Sequence, residues 1–375
     1  MKVILFANTD WYLFNFRLPL ARALKARGHE VLLVSPAGDY GERLRRAGFR
    51  WEALPMDRRS LNPFRELRVL FHLWRLYARE QPRVVHHFTI KCVVYGSMAA
   101  ALARVAAGVN AVDGLGYVFT NHALKARLLR PVVRWLMRLV LGNDRSRLML
   151  LNQDDVVAIE QAKIAPASRV RLVKGSGVDL AQFQPTAPPP MSGGVTRVLV
   201  AARLLWDKGI GEYVSAARQL RGEGLAIRFA LAGAPDPGNP AAIAQSQLDD
   251  WAQEGVMELL GHVDDMAAQY ARTDIAVLPS YREGLPKGLI EAAACALPLV
   301  TTDVPGCREV VTHEVDGLLV PAKDAVALAD AIRRLHQNPE WARQLGQAAR
   351  ARAFAEFDER IVIEQTLGVY QELLE

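Results

Sequence analysis

The chain has 375 residues, 51% apolar and 23% charged, with a formal net charge of +6. That length suits two or three domains and that balance an ordinary globular core, which excludes a mainly disordered or a fibrous chain. Three scattered cysteines, Cys92, Cys295 and Cys307, are too few for a disulfide framework or a Cys-rich metal site and fit a reducing compartment.

The opening run Val3–Ala7 (VILFA) reads as a buried parallel strand, too short for the apolar region of a secretory signal. Residues 16–27 show helical periodicity stopped by Gly28, and Glu30–Ser35 reads as a second strand. Strand, helix and strand in some thirty residues make a βαβ unit and hence a parallel sheet. Further strands are predicted at Val84–His87, Val109–Val112, Leu148–Asn152 and Val170–Lys174. Between them, Cys92–Ala103 is the longest apolar run, bounded by Lys91 and Arg104 and short of the eighteen or so residues of a membrane helix. A soluble, cytoplasmic protein is the expectation.

Gln184–Gly194 (QPTAPPPMSGG) has four prolines and two glycines and reads as a semi-rigid spacer. The expected domains are therefore 1–184 and 195–375, joined by a linker over 185–194, with the last helix packing back on the first domain. The strand–helix alternation restarts at Val198–Ala202, then a helix over 211–221 and a strand over 227–231. A helix over 239–255 and strands over 257–260 and 275–279 follow, then a helix over 287–296 and strands over 299–301 and 318–320. The fold class is thus α/β, two Rossmann-like, doubly wound domains in tandem. Ligands of such sheets bind at the carboxyl ends of the strands, so facing domains would place an active site in the cleft between them.

Charge separates the halves. Residues 1–180 carry 29 Lys and Arg against 14 Asp and Glu, a net of +15, and residues 181–375 a net of −9. Basic runs include Arg43, Arg45 and Arg46; Arg58 and Arg59; Arg65 and Arg68; and the span from Lys125 to Arg147. Over Leu124–Gly142 the arginines 127, 130, 134 and 138 form a cationic stripe beside an apolar face. It reads either as a solvated surface helix or as a contact for anionic lipid headgroups or an anionic substrate. No aromatic-rich strand or helix-turn-helix signal accompanies the charge, which disfavours nucleic acid.

The most informative stretch is Pro279–Ala294 (PSYREGLPKGLIEAAA). A strand ends at Pro279, a glycine-bearing loop follows, and Pro286 occupies a favoured first helical position. The amides of Lys287 and Gly288 would then favour an anionic group. Glu283 lies before the helix and Glu291 on its second turn, a spacing that lets two carboxylates reach different parts of one extended ligand; equally, Glu291 could face solvent. Arg203 and Lys208 follow the first strand of the same half, where a cation pair suits a diphosphate or is an ordinary surface pair. No Walker loop or G-x-G-x-x-G fingerprint follows either first strand, which weakens ATPase and dehydrogenase readings.

Arg203 and Lys208, together with Glu283 and Glu291 in EGLPKGLIE, make the chain resemble the family-4 retaining glycosyltransferases of GT-B fold over nearly its whole length. The segments Asn8–Leu20, His86–Lys91, Asn110–Phe119, Gly175–Asp179 and Pro298–Val311 resemble one branch in particular. That branch builds capsule, O-antigen and protein-linked glycans on undecaprenyl diphosphate at the inner membrane face. The resemblance implies that Arg203 and Lys208 bind the donor diphosphate, Glu291 the ribose hydroxyls and Glu283 the transferred sugar. Gly284, Leu285, Pro286, Lys287 and Gly288 would hold sugar and phosphate, His262 and Val263 the nucleobase, and Asn8, Thr9 and Asp10 would approach the donor from the first domain. Many members carry a His near the position of Asp113; here Asp113 stands in its place. His86, His87, Lys91 and Arg17 are acceptor candidates, although for either histidine taken alone a satisfied core residue is the favoured reading, and for Lys91 a surface lysine is equally plausible.

The implied donor is a UDP-sugar and the implied reaction is transfer with retention. Two-carboxylate glycosidases place their carboxylates on opposite sides of the sugar, whereas Glu283 and Glu291 share one loop and helix, so a front-face displacement fits better. The chain contains no Asp-x-Asp motif, and no essential metal or other cofactor is expected. The basic half would meet a lipid-linked acceptor at an anionic membrane surface. Alternatives are a transferase with a soluble acceptor, a sugar-nucleotide epimerase and a non-catalytic nucleotide-sugar or membrane scaffold.

Overall fold

The computed structural model describes residues 1–57, 60, 62–114, 124–142, 144–185, 194–236 and 238–375. Arg58 and Arg59, residues 115–119 of the Asn110–Phe119 segment, the side chains of Lys125 and Arg127, and residues 186–193 of the proline-rich spacer lie outside them. The described residues form two units, Met1–Ser176 with Arg360–Glu375, and Gly177–Glu359. The division falls ahead of the proline-rich stretch because Val178, Leu180 and Phe183 are buried in the core of the second unit.

The first unit holds a seven-stranded parallel sheet of β1 (Lys2–Phe6), β2 (Glu30–Ser35), β3 (Arg50–Ala53), β4 (Val84–Phe88), β5 (Ala107–Val112), β6 (Ser146–Leu150) and β7 (Val170–Leu172), in the order β3-β2-β1-β4-β5-β6-β7. In β1 alternate residues enter different cores: Val3 and Leu5 join Leu20, Leu24 and Val109, while Ile4 and Phe6 join Leu32, Val34 and Leu73. Burial on both faces is why the strand reads as an unbroken apolar run. The helix Glu359–Leu374 places Val362, Leu367, Val369 and Tyr370 in the Val3 cluster, and Glu372 accepts hydrogen bonds from Arg147 Nε at 2.7 Å and Arg171 Nε at 2.9 Å.

The second unit holds β8 (Thr196–Ala201), β9 (Ile227–Ala232), β10 (Glu258–Gly261), β11 (Ile275–Leu278), β12 (Leu299–Thr302) and β13 (Leu318–Val320). Their order is β10-β9-β8-β11-β12-β13, all parallel. Strand order therefore reverses between β1 and β4 in one sheet and between β8 and β11 in the other, and ligands of open α/β sheets bind at such points.

Three expectations shift. Arg50–Ala53 is an additional edge strand, half exposed and without an apolar run to mark it. The helix expected over 239–255 spans only Gln245–Gln253, because Asn239 Oδ1 accepts from Ala241 N and Ala241 O accepts from Trp206 N, drawing 239–242 into a loop. The helix after β1 starts earlier, at Asp10, and passes through a π turn over Leu13–Arg17 before Leu18–Ala26. Among the described residues no helix is long and apolar enough to cross a membrane.

Glu80 closes the helix Pro63–Glu80 onto the sheet. Its almost fully buried carboxylate accepts from Lys2 Nζ at 2.8 Å, Arg50 Nη2 at 3.1 Å and Arg79 Nε at 3.2 Å. Burial alone would raise this carboxyl, but the hydrogen bonds from Lys2 and Arg50 outweigh it and hold it at about 2. A carboxyl depressed in the folded state stabilises above its unfolded pKa, and that stabilisation is lost as pH falls from about 4.5 towards 2. Glu80→Gln is therefore expected to cost about 1–3 kcal/mol at pH 7, allowing for the screening at half-exposed Arg50, and to flatten the acid limb of a urea-midpoint profile. Identical acid limbs in both proteins would remove Glu80 from this role.

Candidate functional site

In the second unit, the loop after β8 carries Arg203 and then a short 3-10 turn, Trp206–Lys208. Gly209 ends that turn with φ +70, and a Cβ there would lie 2.0 Å from the carbonyl oxygen of Pro279, at the end of β11. Only glycine permits this approach. The close seat is locked by Tyr281 N donating to Asp207 O at 2.9 Å. It brings Lys208 Nζ to 2.5 Å from Glu283 Oε1, with both side chains about five-sixths buried. Ser280 Oγ donates to the same oxygen at 2.6 Å.

A third loop backs the pair. Gly306, φ +81, follows β12, and a Cβ there would meet Glu283 O and Gly284 O at 2.5 and 2.7 Å. Glu283 N donates to Pro305 O at 3.2 Å, and Thr302 Oγ1 donates to Ser280 O. The Glu283–Gly288 loop is thus fixed by its neighbours on β8 and β12. The helix that follows spans Lys287–Ala294, so Pro286 is its cap residue rather than its first residue, and no side chain caps that N-terminus. An N-terminus of this kind stabilises an anion.

Glu291, on the second turn, is not a solvent-facing carboxylate. Its side chain is 14% exposed, and burial pushes its carboxyl up, with Lys287 Nζ at 3.8 Å working the other way. Tyr270 braces the same turn by donating to Gly288 O at 2.9 Å. Arg203 is more than half exposed and pairs through Nη1 with Asp236 Oδ2 at 3.0 Å, on the loop after β9. The structure thus brings Lys208 and Glu283 together and ties Arg203 to Asp236. His262, after β10, is exposed with Nε2 3.4 Å from Asp264, and Val263 packs on the Leu199 cluster. Leu285 packs on that same cluster.

In the first unit, the loop after β1 is consumed by local order. Thr9 Oγ1 caps the helix by accepting from Tyr12 N at 3.1 Å. Buried Asp10 accepts from the amides of Tyr40 and Gly41, each at 2.8 Å. Asn8 is partly exposed. The π turn sets Tyr12 and Arg17, five residues apart, on one side: Arg17 Nε donates to the Tyr12 hydroxyl at 2.9 Å. Arg17 Nη2 lies 3.0 and 3.1 Å from the two carboxylate oxygens of Asp113, and the Tyr12 hydroxyl donates to Oδ2. The guanidinium also lies 4.4 Å from the centre of the Phe88 ring. Burial pushes the Asp113 carboxyl up to about 7 and the guanidinium down to about 9. Their direct contact opposes both shifts and favours the charged pair.

The other acceptor candidates have structural partners. His87 is fully buried, with Nδ1 donating to Asn110 Oδ1 at 2.8 Å and Nε2 accepting from the Tyr77 hydroxyl at 3.1 Å. Burial holds its ring at about 4, so it is a neutral core histidine. Lys91 Nζ donates to Asp57 O, Ser60 O and Glu66 Oε1 at 2.7–3.0 Å, which makes it the tie for that loop. His86 is also fully buried, with Nδ1 2.8 Å from the Tyr370 hydroxyl and Nε2 without a partner. Burial, aided by the Arg17 charge, holds it well below the usual histidine range. Sequence reasoning missed Tyr12, Asp236, Ser280 and Tyr370 as supports; all four act through pairings that only the fold creates.

Two doubly wound parallel sheets, the second with a cation–carboxylate pair where its strand order reverses, are the architecture of the GT-B fold. Residues 2–141 match the family described as Glycosyl transferase 4-like and residues 195–338 the one described as Glycosyl transferases group 1. The chain is 30% identical, over 78% of its length and 80% of the relative's, to the alpha-maltose-1-phosphate synthase of Mycolicibacterium smegmatis. It is 27% identical, over its full length and 99% of the relative's, to the N,N'-diacetylbacillosaminyl-diphospho-undecaprenol alpha-1,3-N-acetylgalactosaminyltransferase of Campylobacter jejuni. Among solved structures, Anabaena HepE in complex with UDP-glucose superposes with a TM-score of 0.80 at 18% identity, covering 99% of this chain and all of that one. The chain belongs to the group 1, family-4-like glycosyltransferases.

Proposed function

We propose that this glycosyltransferase moves a hexose or N-acetylhexosamine, with retention, from a UDP-sugar to a sugar carried on undecaprenyl diphosphate, at the inner membrane surface. The observation that carries the reading is the buried Lys208–Glu283 pair at the strand-order reversal, beside an uncapped helix N-terminus. The name of the Campylobacter relative supports the lipid-linked acceptor and HepE's bound UDP-glucose supports the donor.

In this reading Lys208 and Arg203, with the backbone N–H groups of the Gly284–Gly288 loop other than Pro286, hold the diphosphate. Glu283 contacts the transferred sugar, Glu291 accepts from the ribose hydroxyls, and His262 and Val263 lie against the base. The acceptor hydroxyl attacks the anomeric carbon from the face the diphosphate leaves. As the bond to UDP breaks, the acceptor proton passes to the departing diphosphate oxygen. Lys208 and the helix N-terminus stabilise the negative charge that grows there. In the first unit, Asp113, held by Arg17, binds an acceptor hydroxyl.

The test is purified protein with lipid extracts bearing undecaprenyl-diphosphate sugars, a panel of UDP- and GDP-sugars, and mass spectrometry of the lipids. The expected result is a gain of one hexose or N-acetylhexosamine with a UDP-sugar, absent in Glu283→Ala. Transfer to a soluble sugar alone would keep the transferase and discard the lipid acceptor. Conversion of the sugar nucleotide without an acceptor would favour an epimerase.

A further inference from the structure

The helix Pro63–Glu80 has three faces where an ordinary surface helix has two. Val69, Leu73, Leu76 and Tyr77 are buried in the cluster built on Ile4 and Phe6. Arg65, Arg68, Arg75 and Arg79 are exposed. The third face is apolar and also exposed: Phe64 at 81%, Leu67 at 62%, Phe71 at 49% and Trp74 at 38%. These four follow at i, i+3, i+7 and i+10, which is one line along a helix.

The core does not need this line, since the helix is already fixed by its inner face and both ends. Asn62 Oδ1 accepts from the amides of Phe64 and Arg65 at 3.0 and 3.3 Å, and Glu80 binds Lys2 and Arg50. Glu66 is held by Lys91 at 3.0 Å. A second helix, Leu124–Leu141, repeats the arrangement with exposed Val132, Trp135 and Leu139 at i, i+3 and i+7. Both helices pack on the helix Ile90–Leu102.

Large aromatic and aliphatic side chains in line, next to a row of arginines, match the boundary between acyl chains and anionic headgroups. A second copy of the chain would bring a half of net charge +15 against its like. We infer that the first unit docks on an anionic bilayer by inserting the Phe64–Leu67–Phe71–Trp74 stripe, with the adjacent arginines on the headgroups. The inference rests on the lipid-linked acceptor reading but concerns attachment, so it is tested without sugar transfer.

The experiment is co-sedimentation of the full chain with phosphatidylglycerol/phosphatidylcholine vesicles and with phosphatidylcholine alone, at low and high salt. Binding to the anionic vesicles is expected, with a substantial part surviving high salt because buried apolar contacts are not screened. Phe64→Ser with Leu67→Ser should weaken binding at least tenfold and leave the thermal midpoint and turnover on a water-soluble acceptor analogue unchanged. Vesicle binding equal to wild type in that variant would overturn the proposal, as would binding abolished entirely by salt. A dimer of the wild type that the same substitutions dissociate, without vesicle binding, would assign the stripe to a second copy and also overturn it. Turnover on the soluble analogue shows separately whether the transferase reading stands.

Discussion

Lys208→Ala is expected to lower kcat by roughly 10²–10³-fold, the range seen when a single preorganised donor to a developing negative charge is removed. The ammonium is held in place before any donor binds, by the close seat of Gly209 on Pro279 and by Glu283 at 2.5 Å. Preorganisation of this kind acts most strongly where charge grows, so kcat and kcat/KM should fall together. Donor affinity, read by calorimetry with UDP, should change less. The substitution also leaves Glu283 with Ser280 as its remaining hydrogen-bond donor, so part of the loss will come from a displaced carboxylate. Glu283→Gln separates the two contributions, because the amide keeps the side chain's shape while Lys208 retains its charge. An unchanged kcat in Lys208→Ala would remove the lysine from the leaving-group role.

Asp113→Ala is expected to destabilise the protein by about 3–5 kcal/mol, because it strands the buried Arg17 cation. Arg17→Met should cost less. A guanidinium stays protonated, whereas a buried carboxyl can take up a proton and become neutral. The contrast carries a pH signature. With Arg17 gone, Asp113 keeps the burial that pushes it to about 7, against 3.8 for a free carboxyl. A carboxyl raised in the folded state loses stability as pH rises, so Arg17→Met should weaken between about pH 4 and pH 7 relative to wild type. Urea midpoints of both variants at pH 5 and pH 8 check this. Equal destabilisation at both pH values in Arg17→Met would show that Asp113 is solvated and not held by burial.

The sheets were legible because their strands are buried on both faces, so VILF, EVLLVS and IAVL announce themselves without alternation. Arg50–Ala53 was not, since an edge strand with two charged residues has no such run. Lys208 and Glu283 were recognisable as types at a spacing, and the fold joins them. His87, in β4, and Lys91, on the first turn of the helix after it, are open to an acceptor role or a structural one on sequence alone. The loop at Asp57 and Ser60 claims the lysine, and Tyr77 with Asn110 claims the histidine. Such long-range partners leave no local trace. Arg17 was named only as one of several acceptor candidates, and its bond to Tyr12 depends on a π turn that the helical period of 3.6 does not foretell.

From Arg360 on, the helix Glu359–Leu374 belongs to the first unit although the second unit precedes it in the chain. During synthesis, the sheet β1–β7 therefore leaves the ribosome with the seats of Val362, Leu367 and Tyr370 empty, and must wait for the entire second unit to be translated before they fill. His86 gains its Tyr370 partner only at that last moment. Arg147 and Arg171 wait equally long for Glu372. Completion of the nascent first unit is thus tied to completion of its neighbour, and a fragment truncated before Glu359 would present an open apolar face to the chaperones that meet it.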